Sequence, residues 1–102
     1  MFTTLTNETC HAALENCEAG VVLFYKKLCP HCKNMEKVLE KFSAQVPDIS
    51  LFSIDMEENA VAAGVHEAQR APTILVVRNG AVTGQKAGLM NPKEMLAFYK
   101  SC

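Results

Sequence analysis

The sequence predicts an α/β fold: a central mixed sheet of about five strands flanked by four helices. Three observations carry this. Apolar runs of strand length at 21–25 (VVLFY), 49–54 (ISLFSI) and 73–77 (TILVV) alternate with helical patterns, as in a mostly parallel sheet with helices on both faces. An Asn-Gly pair at 79–80, between two strand-like runs, adds an antiparallel hairpin at one edge. The chain has 102 residues, of which 49% are hydrophobic, so one domain spanning 1–102 can bury one ordinary core.

Taken in order, residues 2–5 read as a short edge strand. The segment 7–17 (NETCHAALENC) reads as a helix with Asn7 as N-cap and a weak apolar face of Ala12, Ala13 and Leu14. The run 21–25 shows no polar alternation, as expected of a strand buried on both faces. From Pro30 to about Gln45, Met35, Val38, Leu39 and Phe42 recur at helical spacing, and Val46-Pro47 ends the helix. The segment 57–65 (EENAVAAGV) reads as a short helix closed by Gly64 as C-cap. After the strand at 73–77, Arg78-Asn79-Gly80 turns the chain into a strand at 81–87. Asn91-Pro92-Lys93-Glu94 opens the last helix with an N-cap, Pro at the first helical position and Glu at the third.

A net charge of -1 gives no electrostatic case for nucleic acid or an anionic membrane as partner. No apolar run approaches the roughly 20 residues of a membrane span. The start, MFTTLTNETC, lacks the basic and long apolar regions of a signal peptide, so the expected location is cytoplasmic. The five cysteines are Cys10, Cys17, Cys29, Cys32 and Cys102. An odd number argues against a complete disulfide framework and for a reduced chain with one special pair.

That pair lies in the stretch KKLCPHCKNM. Pro30 fits the first helical position, where its missing N–H costs nothing, so Cys29 becomes the cap-like residue before it. Orphan N–H groups and the positive end of the helix dipole favour a thiolate there. His31, when protonated, adds a second positive influence. Cys32 falls in the stripe of Met35, Leu39 and Phe42 and should face inward. One exposed, acidic thiol with a shielded partner suits thiol–disulfide exchange, in which the first sulfur attacks and the second resolves the mixed disulfide. The pair has no second CxxC to complete a zinc site, although Cys10, His11, Cys17 and His66 can be nominated as ligands.

Nearly the whole chain resembles the thioredoxin family: CxxC opening a helix after an apolar strand, FSID at 52–55, RAPTILVVRNG at 70–80 and AGLMNPKEM at 87–95. The resemblance implies a thioredoxin fold and a protein disulfide oxidoreductase, with Cys29 as nucleophile and Cys32 as resolving thiol. It implies Pro72 as a cis-proline facing the pair, and Leu28, Ala71, Pro72 and Gly88 flanking it as a substrate groove. It implies disulfide-containing protein substrates, a flavin-dependent thioredoxin reductase as partner, a monomer, and no cofactor or metal beyond the redox-active disulfide.

Two departures bear on mechanism. Ordinary thioredoxins carry Trp before the first cysteine and Gly-Pro between the two, where this chain has Leu28 and Pro30-His31. Pro-His resembles the oxidising periplasmic enzyme DsbA, with a potential of about -120 mV against about -270 mV for thioredoxin. Pro30 and His31 are therefore tuning residues, and the pair is expected to be less reducing than ordinary thioredoxin. The second departure is the family's buried Asp and its Lys partner, whose positions hold Leu23 and Leu51. Deprotonation of Cys32 is then left to another group or to water.

A glutaredoxin-like, glutathione-coupled reductase and a redox-silent binding module on the same fold are the competing functions. Ala87-Gly88-Leu89 lacks the glycine pair expected of the first. Of the remaining residues, Cys10 and Cys17 read as small buried hydrophobes sharing one helix face. Cys102 reads as exposed, and His11 and His66 as surface residues. Phe24 and Tyr25 read as strand packing. Lys26 and Lys27 read either as a solvated loop or as a positive field that steers a partner.

Overall fold

The computed structural model describes residues 2–102. Along them run β1 (Thr3–Thr4), α1 (Cys10–Glu15), β2 (Ala19–Tyr25), α2 (Pro30–Gln45), β3 (Ser50–Asp55), α3 (Ala60–Val65), β4 (Thr73–Arg78), β5 (Ala81–Ala87) and α4 (Pro92–Ser101). The strands form one mixed sheet in the order β1-β3-β2-β4-β5. β3 is parallel to both β1 and β2, while β4 runs antiparallel to β2 and β5 antiparallel to β4. This is the α/β architecture the sequence predicts.

Successive side chains of a strand point to opposite faces, and β2 shows why its run is wholly apolar. Val22 and Phe24 pack with Cys10 and Leu14 of α1 and Ala62 and Ala63 of α3. Val21 and Leu23 pack on the other face with Met35, Leu39 and Phe42 of α2 and Met95 and Tyr99 of α4. These four β2 residues and the α2 stripe are completely buried. The stripe pins the axis of α2 to the sheet, and with it the position of the helix start.

The turns follow local chemistry. Asn79 (φ 51°) and Gly80 (φ 80°) both take left-handed backbone, the two-residue hairpin geometry that Asn-Gly favours. Gly80 is also demanded by space, since a Cβ there would stand 2.6 Å from the Glu15 carbonyl oxygen. At α4 the expected capping box is present: Glu94 N–H donates to Asn91 Oδ1 at 2.8 Å, and Asn91 N–H donates to Glu94 Oε1 at 2.9 Å.

Other local expectations need correction. Helix α1 spans Cys10–Glu15 with Thr9 as N-cap, so Asn7 does not cap it and Cys17 lies beyond its end. Asn7 instead ties the loop to α3: its Oδ1 accepts from Ala62 N–H, and its own N–H donates to Asn59 Oδ1, both at 2.9 Å. Gly64 lies inside α3, and His66 is the C-cap. Glu67 (φ 54°) supplies the left-handed residue. Ala68 N–H donates to Ala63 O and Glu67 N–H to Gly64 O, which is a Schellman closure made without glycine.

His66 is half-buried, not a surface residue, with its ring centroid 6.0 Å from that of Phe24. Burial lowers its pKa from 6.5, and nearby His11 lowers it further. The unfolded chain therefore takes up this proton more readily than the folded one. The stability that rests on neutral His66 is complete above pH 6.5 and declines as the pH falls below that value. Urea midpoints measured on either side of pH 6.5 should drop less on acidification for His66→Leu than for the wild type; an identical drop contradicts this account.

Candidate active site

Helix α2 begins at Pro30, and Cys29 before it is extended (φ -140°, ψ 99°) as the N-cap. Cys32 N–H is shared between Cys29 Sγ at 3.2 Å and Cys29 O at 3.1 Å, so the sulfur stands where a capping oxygen usually does. The first turn contains no acidic residue to neutralise the positive helix end. Lys26, Lys27, His31 and Lys33, all exposed, surround this end with basic side chains. Lys27 is shared with Glu58, 3.5 Å away and two-thirds exposed, a contact that screening leaves weak.

Cys29 and Cys32 are joined as a disulfide, with Cα atoms 5.2 Å apart. Cys32 is buried beneath the helix, whereas Cys29 is half-buried. Leu28 is 98% exposed, so the residue before the nucleophile position is an apolar side chain held in water. A shallow depression of about 360 Å³ lies beside Cys29, lined by Lys27, Leu28, Pro30 and Lys33.

The sheet register gathers the other expected residues at the same end. Phe24 of β2 faces Thr73 of β4, and Thr73 faces Ala87 of β5. Ala71, Pro72 and Gly88 thus lie just past that edge, level with the chain leaving β2 toward Cys29. The Ala71–Pro72 peptide is cis. Gly88 N–H donates to Pro72 O at 2.8 Å, and Gly88 takes left-handed backbone (φ 100°).

Leu23 and Leu51 are both buried on the α2 face, so no carboxylate stands at either position. A buried carboxylate does lie further along β3, two residues beyond the register of Leu23 and four beyond Leu51, within the FSID segment. Asp55, 4% exposed, is in register with Tyr25. Its Oδ1 accepts from Glu57 N–H at 2.9 Å and Glu58 N–H at 3.2 Å, closing the turn after β3. Burial raises the pKa of Tyr25, and Asp55 raises it further. Tyr25 is half-buried and lines a cavity of about 410 Å³ that also borders Cys32, Ser53 and Glu36. Glu36 was passed over in the sequence reading; its signal was the spacing of four from Cys32.

The remaining cysteines are free. Cys10 and Cys17 are buried as expected, though not on one helix, and burial raises both thiol pKa values. Cys102 is half-buried, with its Sγ–H donating to Phe98 O at 3.1 Å, so it packs against the last helix instead of standing free. Among the described residues no cluster of three or more His, Cys, Asp or Glu could hold a metal ion, and no helix is long and apolar enough to cross a membrane.

The family model described as Thioredoxin matches residues 1–101. The chain belongs to the thioredoxin family. It is 36% identical over 80 residues to thioredoxin from Bacillus subtilis, a match covering 76% of each chain. Its structure superposes on the solution structure of reduced desulfothioredoxin from Desulfovibrio vulgaris Hildenborough with a TM-score of 0.84 and 41% identity, over 90% of this chain and 88% of that one. Oxidised mitochondrial thioredoxin 3 from Saccharomyces cerevisiae gives a TM-score of 0.88 at 27% identity, over 99% and 95%. The protein is a thiol–disulfide oxidoreductase, and the family's electron carrier is a redox-active disulfide.

The burial pattern predicts how the thiols react. With the Cys29–Cys32 disulfide closed, iodoacetamide should alkylate Cys102 in the native protein, and Cys10 and Cys17 only in denaturant. Peptide mass spectrometry after native labelling checks this; rapid modification of Cys10 or Cys17 contradicts it.

Proposed function

We propose that Cys29 is the nucleophile and Cys32 the resolving thiol, and that the pair works at a potential less negative than that of ordinary thioredoxin. The observation that carries this reading is the cap at α2: the Cys29 sulfur accepts the Cys32 N–H at a helix start with no acidic residue. In the dithiol form the same N–H groups and basic surroundings favour the thiolate. A favoured thiolate stabilises the reduced form and makes the disulfide a better oxidant, at about 1.4 kcal/mol for each 30 mV. Pro30, by opening the helix, and His31, beside it at the exposed helix tip, tune the pair.

The substrates are disulfide-containing proteins. Leu28, Ala71, Pro72 and Gly88 form the surface on which an extended segment docks, supported by the exposure of Leu28 and the Gly88–Pro72 hydrogen bond. A flavin-dependent thioredoxin reductase returns electrons to the pair. The chain acts as one monomeric domain in the cytoplasm, a reading supported by three free cysteines beside a single pair.

Equilibration against glutathione gives the potential directly. The wild type should lie well above thioredoxin's value of about -270 mV, toward the disulfide-isomerase value of about -180 mV. Changing Pro30→Gly and His31→Pro together should move it back toward thioredoxin's value. A wild-type value close to about -270 mV would remove the tuning role of Pro30 and His31.

A further inference from the structure

Cys32 presents a chemical requirement that the cap at Cys29 does not meet. It is 2% exposed, and as a thiol it must lose a proton before it can attack a mixed disulfide. Leu23 and Leu51 offer no acceptor. Asp55 is buried, with Oδ1 held by the turn after β3 and Oδ2 without a hydrogen-bond partner, but it does not line the cavity beside Cys32.

That cavity, of about 410 Å³, is roomy enough for several waters, each of which occupies about 30 Å³ in the liquid. It lies between the start of α2 and the ends of β2 and β3, and Cys32 is part of its wall. Among the described residues its lining contains one carboxylate, that of Glu36. Glu36 follows Cys32 by four positions on α2, so the two side chains are neighbours on one helix face. Tyr25 and Ser53 supply polar groups on the sheet side that can hold water between them.

We propose that Glu36 accepts the Cys32 proton through water in this cavity, taking over a task for which the strand positions hold only leucine. The proposal rests on the exchange reaction described above and assigns its second step. In the mixed disulfide, Cys29 Sγ is bonded to a substrate sulfur. The Cys32 Sγ–H passes its proton through water to the Glu36 carboxylate, and the thiolate attacks Cys29 Sγ. The Cys29–Cys32 bond forms as the Cys29–substrate bond breaks. The substrate sulfur leaves as a thiolate and takes a proton from solvent. The dithiol loses two electrons, and the substrate disulfide gains them.

The charged and titratable groups facing Cys32 are consistent with this role. Lys26 and Lys27 come from the chain after β2, and Lys33 and Glu36 from α2. Tyr25 comes from β2, with Asp55 beside it on β3. Lys26 and Lys33, with Lys27 shared with Glu58, favour the thiolate as it forms, whereas Tyr25, its pKa raised by burial and by Asp55, stays protonated and can donate a hydrogen bond to water. Glu36 is exposed on its outer side, so the accepted proton can escape to solvent.

The test separates the two steps. Reduced protein is mixed with excess glutathione disulfide, quenched with acid at successive times, and the glutathione adduct on Cys29 is followed by mass spectrometry. In Glu36→Gln the adduct should accumulate, with resolution at neutral pH slowed by about a hundredfold, the low end of the range for a positioned base. Its resolution rate should rise with hydroxide across neutral pH, where the wild-type profile is flatter. The iodoacetamide rate at Cys29 should not change, and Glu36→Asp should restore part of the resolution rate. Resolution in Glu36→Gln at the wild-type rate and with the wild-type pH profile overturns the proposal. So does a slowing that Glu36→Asp leaves as deep as Gln does. Failure of Cys32→Ser, which cannot resolve the adduct, to accumulate glutathione on Cys29 would instead overturn the assignment of Cys29 as nucleophile.

Discussion

The first turn of an α-helix leaves N–H groups short of helical partners, and in this protein the Cys29 sulfur shares one of them, that of Cys32, with the Cys29 carbonyl oxygen, at 3.2 Å and 3.1 Å. The other features of the site are arranged around that contact. Pro30 can occupy the first helical position because it has no N–H to leave unpaired. The absence of Asp or Glu in the first turn leaves the positive helix end to the sulfur alone. The cap also sets the division of labour between the cysteines. The residue outside the helix stays at the surface, while the residue three positions on turns into the stripe that packs on the sheet.

The cap is only as well placed as the helix that carries it. Met35, Leu39 and Phe42 are completely buried against Val21, Leu23, Ile74 and Val76, with Met95 and Tyr99 of α4 closing the layer. A core packed in this way resists sliding, because a shift of one residue would expose the stripe. The same register brings the chain ends of β2, β4 and β5 together, so that Pro72 and Gly88 come level with the loop that leads to Cys29. Apolar residues at 23 and 51 avoid the desolvation cost of a buried ion pair. The consequence is chemical: neither strand position can take the proton of the buried Cys32 thiol, and the proposed acceptor is Glu36 on its own helix.

Much of this was legible in the sequence because it depends on local rules. The 3.6-residue spacing of Met35, Leu39 and Phe42, the Asn79-Gly80 turn and the Asn91–Glu94 capping box each need only a few neighbouring residues to be specified. What was not legible depends on contacts distant in sequence. Asn7 resembles an N-cap for the helix that follows, but its side chain serves Ala62, 55 positions away. Gly64 resembles a helix terminator, yet packing places the left-handed turn at Glu67. His66 and Cys102 owe their burial to Phe24 and to the last helix, which no local pattern announces. Glu36 lies in plain view as one more charged residue on an amphipathic helix, four positions from Cys32, and the cavity beside Cys32 gives that spacing its meaning.

The central claim is that the start of α2 holds Cys29 as a thiolate. The most direct measurement is the rate of iodoacetamide alkylation at Cys29 in the reduced protein as a function of pH, with the modified residue identified by peptide mass spectrometry. With Cys29 held as a thiolate, the rate should already be pH-independent at neutral pH, far below the ionisation of free cysteine at about 8.5. A rate that climbs through neutral pH and levels off only near that value would show that the helix start does not stabilise the thiolate, and would contradict the account.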